Sequence, residues 1–284
     1  MKQKVYDCFC YFNEDMLLNL RLDTLWEQVD YFVIVESVKT ISGKPKLLNF
    51  RIENFQLYRD KIRYLVLSEY PFPTDDAWRN ERYQRDYVAH GLFDAVDDDW
   101  ILVSDVDEIP RPETIREFNP RRFVRGDFMQ KAYSYYLNNQ CFSDGEPVVW
   151  PGSKIVTYKA FRDFFGGAEQ VRNFKSTGLL RSIKRAWFRN QQVQRIVNGG
   201  WHFTWIADIP QIIRKLESFA HQEYNTTEYK DPATIRSKIE AGQDFLNPRC
   251  SCRAQFVDHH FPKQLIENQE SYREFLLTAE TRKK

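Results

Sequence analysis

In the stretch Trp100-Ile-Leu-Val-Ser-Asp-Val-Asp-Glu-Ile-Pro110 an apolar run leads directly into three acids within four residues, Asp105, Asp107 and Glu108. Carboxylates are hard oxygen ligands suited to Mg2+ or Mn2+, ions that keep coordination places for substrate phosphates. Asp105 and Asp107 are two apart, so on an extended chain their side chains project to the same side. At the carboxyl end of a strand in an open α/β sheet, such acids stand at the mouth of a ligand site rather than in the core. The simpler alternative is a capped strand-end turn before a proline. The fully apolar run before the acids favours the metal site. So does the nearby Asp97-Asp98-Asp99, which reads as solvated loop and leaves Asp105 to Glu108 as the unusual cluster.

These residues need a sheet to position them, and the first half of the chain supplies one. Val5 to Phe12, Tyr31 to Ser37, Ile62 to Ser68 and Trp100 to Asp105 read as strands. The second is almost continuously apolar, as expected of a strand covered on both faces. Asn13 is placed to cap a helix with Leu18, Leu22, Leu25 and Val29 at helical spacing. Asp75 or Asp76 is placed to cap another that runs to about Asp94, with Glu81–Arg85 and Arg82–Asp86 spaced to pair. Alternating strands and helices predict a mainly parallel sheet flanked by helices.

After Pro112 the pattern changes. Phe128 to Asn138 and Ser153 to Phe161 read as strands, and Gly166-Gly167 and Gly199-Gly200 mark tight or flexible backbone. Pro210 opens a helix whose buried side holds Ile212, Ile213, Leu216, Phe219 and Ala220. Asp231-Pro232 starts another that ends near Gly242. The polar tail from Thr278 is expected to fray. With no repeat, low-complexity tract or linker, the 284 residues read as a single domain. Within it, residues 1–110 read as a first half, 111–260 as a second and 261–284 as a tail.

Composition excludes some partners. Lys and Arg number 41 against 40 Asp and Glu, a net charge of +1, so no basic excess calls for nucleic acid. Polybasic clusters suited to an anionic membrane are also absent. No apolar run of about 18 residues predicts a transmembrane helix, and the start of the chain lacks a signal-peptide pattern. The expectation is therefore a cytoplasmic chain. Its five cysteines, Cys8, Cys10, Cys141, Cys250 and Cys252, form two C-x-C pairs rather than the wider spacing of zinc sites, and they read as free thiols in a reducing compartment.

Several stretches together resemble glycosyltransferase family 17, best known for β-1,4-mannosyl-glycoprotein β-1,4-N-acetylglucosaminyltransferases. They are Tyr6-Asp-Cys-Phe-Cys-Tyr-Phe-Asn-Glu-Asp15, Phe32-Val-Ile-Val-Glu-Ser37 with Thr40 and Gly43, Trp78-Arg-Asn-Glu-Arg-Tyr-Gln-Arg85, Ile101 to Pro110, and Gly199-Gly-Trp-His-Phe203. The resemblance spans about the first 220 residues. It implies a GT-A-type, Rossmann-like mixed sheet and an inverting, metal-dependent transfer from a UDP-sugar, with N-acetylglucosamine foremost, to a glycan or oligosaccharide hydroxyl. It also implies that Asp107 ligates the Mn2+ or Mg2+, that Asp105 holds the metal or the ribose, that His202 is a late metal ligand, and that Glu36 meets the nucleoside.

Arg79, Asn80 and Arg82 lie early in a helix, where N–H groups and Arg forks favour phosphate. Lys215 is the stronger diphosphate candidate in its helix. His221, six residues on, falls on another face and is expected past the helix end. The general base that an inverting transfer requires is expected at Glu169, beside Gly166-Gly167, with Asp144 and Asp163 as competitors. Alternatives are a UDP-xylose or UDP-glucose donor, a Mg2+-dependent phosphotransferase or hydrolase, and a carbohydrate-binding module without catalysis.

Overall fold

Strand β1 (Val5–Cys10) sits between β2 (Tyr31–Ser37) and β4 (Trp100–Asp105), with β3 (Ile62–Leu67) beyond β2, all parallel. Cys8 lies level with Val33 on one side and Val103 on the other. The computed structural model describes residues 2–174, 188, 192–244, 246–247 and 249–277. The apolar runs of these strands arise because both sheet faces are covered. Phe9, Ile34 and Leu102 pack with Leu18, Leu22 and Leu25 of helix α1 (Asp15–Leu25) on one face. Val33, Val35 and Val103 pack with Val88 and Leu92 on the other.

Beyond β4 the sheet becomes mixed. After the short β5 (Glu108–Pro110) come β6 (Arg125–Ser134), β7 (Asn139–Ser143), β8 (Glu146–Pro147), β9 (Val149–Thr157), β10 (Val193–Thr204) and β11 (Cys250–Ala254). The order along the main path is β11-β7-β6-β9-β4-β1-β2-β3, and β10 pairs parallel with β6 and antiparallel with β5. One sheet of eleven strands thus runs through both halves of the chain. This is the architecture expected of a GT-A-type domain, a parallel Rossmann-like half continued by antiparallel strands. Gly200, at φ 126°, lets β10 approach β5, because a Cβ there would lie 2.2 Å from the Ile109 carbonyl oxygen.

Element ends differ from the sequence reading for local reasons. Helix α1 begins after Glu14 rather than Asn13, and the Glu14 carboxylate accepts the N–H groups of Phe12 and Asn13 at 3.1 and 3.0 Å. Helix α2 (Ala77–Asp86) is capped by Asp76, which accepts from Arg79 N at 3.0 Å. It stops at Asp86, and a tighter turn, Tyr87–Gly91, replaces its expected last part. Glu81 and Arg85 pair at 3.0 Å, but Arg82 reaches toward Asp76 at 4.0 Å instead of Asp86. Asp86 accepts the backbone N–H of Glu169 at 2.8 Å.

The strands expected at Phe128 to Asn138 and Ser153 to Phe161 both start earlier, and between them the chain folds back through β7 and β8 at Asp144-Gly145, both at positive φ. Three further helices are α3 (Pro112–Ile115), α4 (Ala168–Arg172) and α5 (Ile209–Ser218). Helix α5 is capped by Asp208 and ends before Phe219 and Ala220. Helices α6 (Pro232–Glu240) and α7 (Lys263–Glu267) follow. The tail from Thr278 lies outside the described residues, and among those described no helix is long and apolar enough to cross a membrane.

Candidate active site

The acidic turn is shaped from below by a charge in the core. Arg21 of α1 is fully buried and pairs with Asp7 of β1 at 2.6 Å. Its Nη1 donates to the carbonyl oxygens of Asp105 (3.1 Å), Val106 (3.3 Å) and Glu108 (2.7 Å), and its Nη2 also to the Ser104 hydroxyl. A buried guanidinium requires this full set of acceptors. In meeting that requirement it fixes the backbone where β4 ends and β5 begins. The chain turns at Val106-Asp107 instead of running extended, so the two aspartates meet different partners.

A cavity of about 590 Å3 opens beyond the carboxyl ends of β1 and β4, and Asp105, Asp107, Glu108, His202, Lys215 and His221 all line it. Asp107 is nearly buried; its Oδ1 stands 4.0 Å from His202 Nε2 and its Oδ2 3.3 Å from Lys215 Nζ. Two atoms bound to one ion at about 2.0–2.2 Å each stand at most about 4.3 Å apart. At 4.0 Å, Asp107 Oδ1 and His202 Nε2 lie just inside that limit and could supply an oxygen and a nitrogen ligand to one divalent ion. Burial works against the charge on Lys215, but Asp107 outweighs it and holds the ammonium protonated above its ordinary range.

Asp105 is held elsewhere. Arg172 of α4 binds its Oδ2 at 2.7 Å and Arg85 of α2 approaches its Oδ1 at 3.5 Å. The expected trio of Asp105, Asp107 and His202 does not close on one point. Among the described residues, the group with three ligand atoms within 4.8 Å of one another is the exposed Asp258-His259-His260. Arg172 also holds Glu108 with both outer nitrogens, at 2.5 and 2.6 Å. Burial disfavours the Glu108 carboxylate, but Arg172 prevails and holds its pKa well below the usual range. Glu108 accepts the Trp150 indole N–H at 2.7 Å, and the Trp150 ring stacks on His202 at 5.3 Å between centroids. Arg172, Glu108 and Trp150 thus form a continuous support for His202.

Other expected site residues are placed differently. Glu36 is fully buried and accepts from Lys46, from Asn49 N (2.7 Å), from Phe50 N (3.0 Å) and from Tyr64 OH (2.8 Å). Four donors fill a carboxylate, so Glu36 fixes the 46–50 segment and is closed to a nucleoside. Helix α2 turns Trp78, Glu81 and Arg85 to the cavity, three and seven residues apart on one face. Arg79 and Arg82 lie off that face, with Arg79 set over the Phe72 ring at 3.9 Å. Asn80 is buried and ties the Ile41 and Thr74 carbonyls at 2.9 and 3.0 Å.

Lys215 and His221 both reach the cavity although His221 lies past the helix end, beside Trp78 at 4.6 Å and Glu223 at 2.6 Å. None of the expected bases lines it. Glu169 is buried against Arg85 at 2.6 Å, Asp144 sits exposed at the β7–β8 turn, and Asp163 pairs with Arg162 at 2.6 Å on the surface. The cavity acids that the sequence reading missed are Glu14 and Glu81. Glu81 carried a signal, its helical phase with Trp78 and Arg85. Arg172 carried none, because its partners Asp105 and Glu108 are more than sixty positions away.

The model of glycosyltransferase family 17 matches residues 1–121. The human β-1,4-mannosyl-glycoprotein 4-β-N-acetylglucosaminyltransferase is 34% identical over 90% of this chain, and its rat counterpart 24% over 92%. The chain spans about half the length of these relatives, 52% of each. Among solved structures, glucosyl-3-phosphoglycerate synthase from Mycobacterium tuberculosis, in complex with Mn2+ and UDP-glucose, aligns with 93% of this chain and 91% of its own, at 11% identity and a TM-score of 0.38. The family-17 match falls on residues 1–121 of this chain, the part that holds the acidic turn and the strands beneath it.

Proposed function

We propose that this chain transfers a sugar, N-acetylglucosamine foremost, from a UDP donor to a glycan hydroxyl with inversion, using Mn2+ or Mg2+. The observation that carries the reading is the meeting of Asp107 and His202 across a cavity at the carboxyl ends of β1 and β4, with Lys215 beside them. Asp107 and His202 hold the metal, and the mixed oxygen and nitrogen set suits Mn2+ better than Mg2+. When bound, the ion supplies Lewis-acid stabilisation to the departing diphosphate.

The chain's own residues do the rest. Lys215, protonated by its proximity to Asp107, faces the same diphosphate. Arg172 and Arg85 set the acidic turn by pairing with Asp105, at 2.7 and 3.5 Å. Glu81 is the base that takes the acceptor proton. It is partly open in the cavity wall, whereas one oxygen of Glu14 is taken up by the backbone N–H groups of Phe12 and Asn13. Trp78, Trp150 and Trp205 give the cavity aromatic faces suited to sugar rings.

Calorimetry with UDP, with and without Mn2+, tests the proposal. Expected are Mn2+-dependent binding and release of UDP from UDP-N-acetylglucosamine once a glycan acceptor is added. Metal-independent glycan binding without UDP affinity, or inorganic phosphate as the product, overturns it.

A further inference from the structure

At the far end of the sheet from the cavity strands, β11 pairs with β7 and sets Cys252 directly opposite Cys141. This is a position where the strands do not bond through these two residues. The Cys252 N–H donates to the Gly242 carbonyl, and the Cys141 carbonyl accepts from Val148 N at 2.9 Å, each away from the other strand. At such positions the backbones approach most closely, with Cα atoms about 4.5 Å apart, inside the range a disulfide spans, about 4.4–6.8 Å. The two Sγ atoms lie 3.3 Å apart, and both side chains are buried against Ala132 and Val148.

We propose that Cys141 and Cys252 form a cross-strand disulfide with a small-molecule disulfide, such as oxidised glutathione, as the oxidant. One protein thiolate, its proton released to solvent, attacks a sulfur of the oxidant and expels one thiolate. The second protein thiol loses its proton and attacks the mixed disulfide, forming the Cys141–Cys252 bond and expelling the second thiolate. Two protein thiols are oxidised by two electrons, and one external disulfide is reduced to two thiols. The hydrogen bond to Cys252 and burial push the Cys141 thiol up.

The link has a place to act. Strand β11 holds Gly242 and Asp244 through Cys252 N to Gly242 O and Asp244 N to Cys250 O, and the nearby Leu246 lines the cavity. A covalent tie between β7 and β11 closes a loop between positions 111 residues apart. By the loop-entropy argument it stabilises the folded chain and fixes that part of the cavity wall.

The test refolds the chain from denaturant in a glutathione redox buffer, so that burial does not limit access, and then alkylates and maps peptides by mass spectrometry. Expected are a Cys141–Cys252 linked peptide, a mass lower by two hydrogens, a higher melting temperature than the reduced chain, and the same link in Cys250→Ser. Both cysteines fully alkylated under oxidising buffer, or Cys250 linked in place of either, overturns the proposal. If Cys141→Ser fails to fold, the peptide map of the unaltered chain still decides.

Discussion

His202 Nε2 stands 4.0 Å from Asp107 Oδ1, with the imidazole backed by Trp150 and the carboxylate flanked by Lys215. One residue comes from β10 and the other from the turn between β4 and β5, and the pairing of β10 with β5, His202 level with Glu108, is what joins them. Replacing either as alanine should leave the fold intact and remove Mn2+-dependent UDP binding. For Asp107→Ala, transfer should fall by roughly 10²–10³-fold, the equivalent of several kcal/mol of lost charge stabilisation. Calorimetry and turnover measured side by side check this, and unchanged Mn2+ dependence in both variants would remove these residues from the site.

Glu81 is assigned the proton from the acceptor. Glu81→Gln keeps the shape and the hydrogen-bonding oxygen beside Arg85 but loses the basic group. Its kcat should drop by about 10²–10⁴-fold while UDP affinity stays within a factor of two or so of the unaltered chain. Glu169→Gln, a change at a buried partner of Arg85 outside the cavity wall, should lower thermal stability. The pH profile of the residual activity should not change in that variant. A loss of kcat in Glu169→Gln with full stability would return the base to the position first expected.

The pair Arg21–Asp7 lies in the core, and its guanidinium also holds the acidic turn. Arg21→Met strands the Asp7 carboxylate without a partner, and such a loss costs about 3–5 kcal/mol. The double variant Arg21→Met, Asp7→Leu should recover part of that stability, because no lone charge remains buried. It should not recover activity, because the carbonyls of Asp105, Val106 and Glu108 lose their shared donor. Denaturant melts and turnover of the two variants separate these effects.

Glu108 gives a pH signature. Its folded-state pKa is depressed, because Arg172 prevails over burial. Its contribution to stability is therefore complete above its ordinary value of 4.5 and is lost progressively as pH falls below that toward the depressed folded value. In Glu108→Gln the contribution is absent at every pH. The stability gap between the two chains should be widest above about pH 5 and should narrow as pH falls to 3, read as melting temperature at each pH. A gap independent of pH contradicts the Arg172–Glu108 pairing.

Much of the first half of the chain was legible in sequence. The continuous apolar runs of β1, β2 and β4 follow from coverage on both faces, so a parallel sheet with acids at its carboxyl edge could be read directly from residues 5–108. Helix caps were legible where Asp76 and Asp208 precede their helices, since capping is local chemistry. The base and the phosphate contacts were not. Glu36 and Glu169 look open as strand-end or loop acids, and only packing shows that four donors fill one and that Arg85 buries the other. Arg79 and Arg82 share a segment with Arg85, yet the rotation of α2 against the sheet decides which arginine reaches the cavity.

The sequence by itself determined which residues could bind a divalent metal and which strand would present them, because hydrophobic period and strand-end position are properties of neighbouring residues. The tertiary structure alone decided that Asp107, and not Asp105, faces His202. That choice depends on Arg21 bending the turn from below and on Arg172 drawing Asp105 aside. Both are guanidinium charges, Arg21 buried and Arg172 mostly so, that must be matched by acceptors distant in sequence, and no local pattern records such a match.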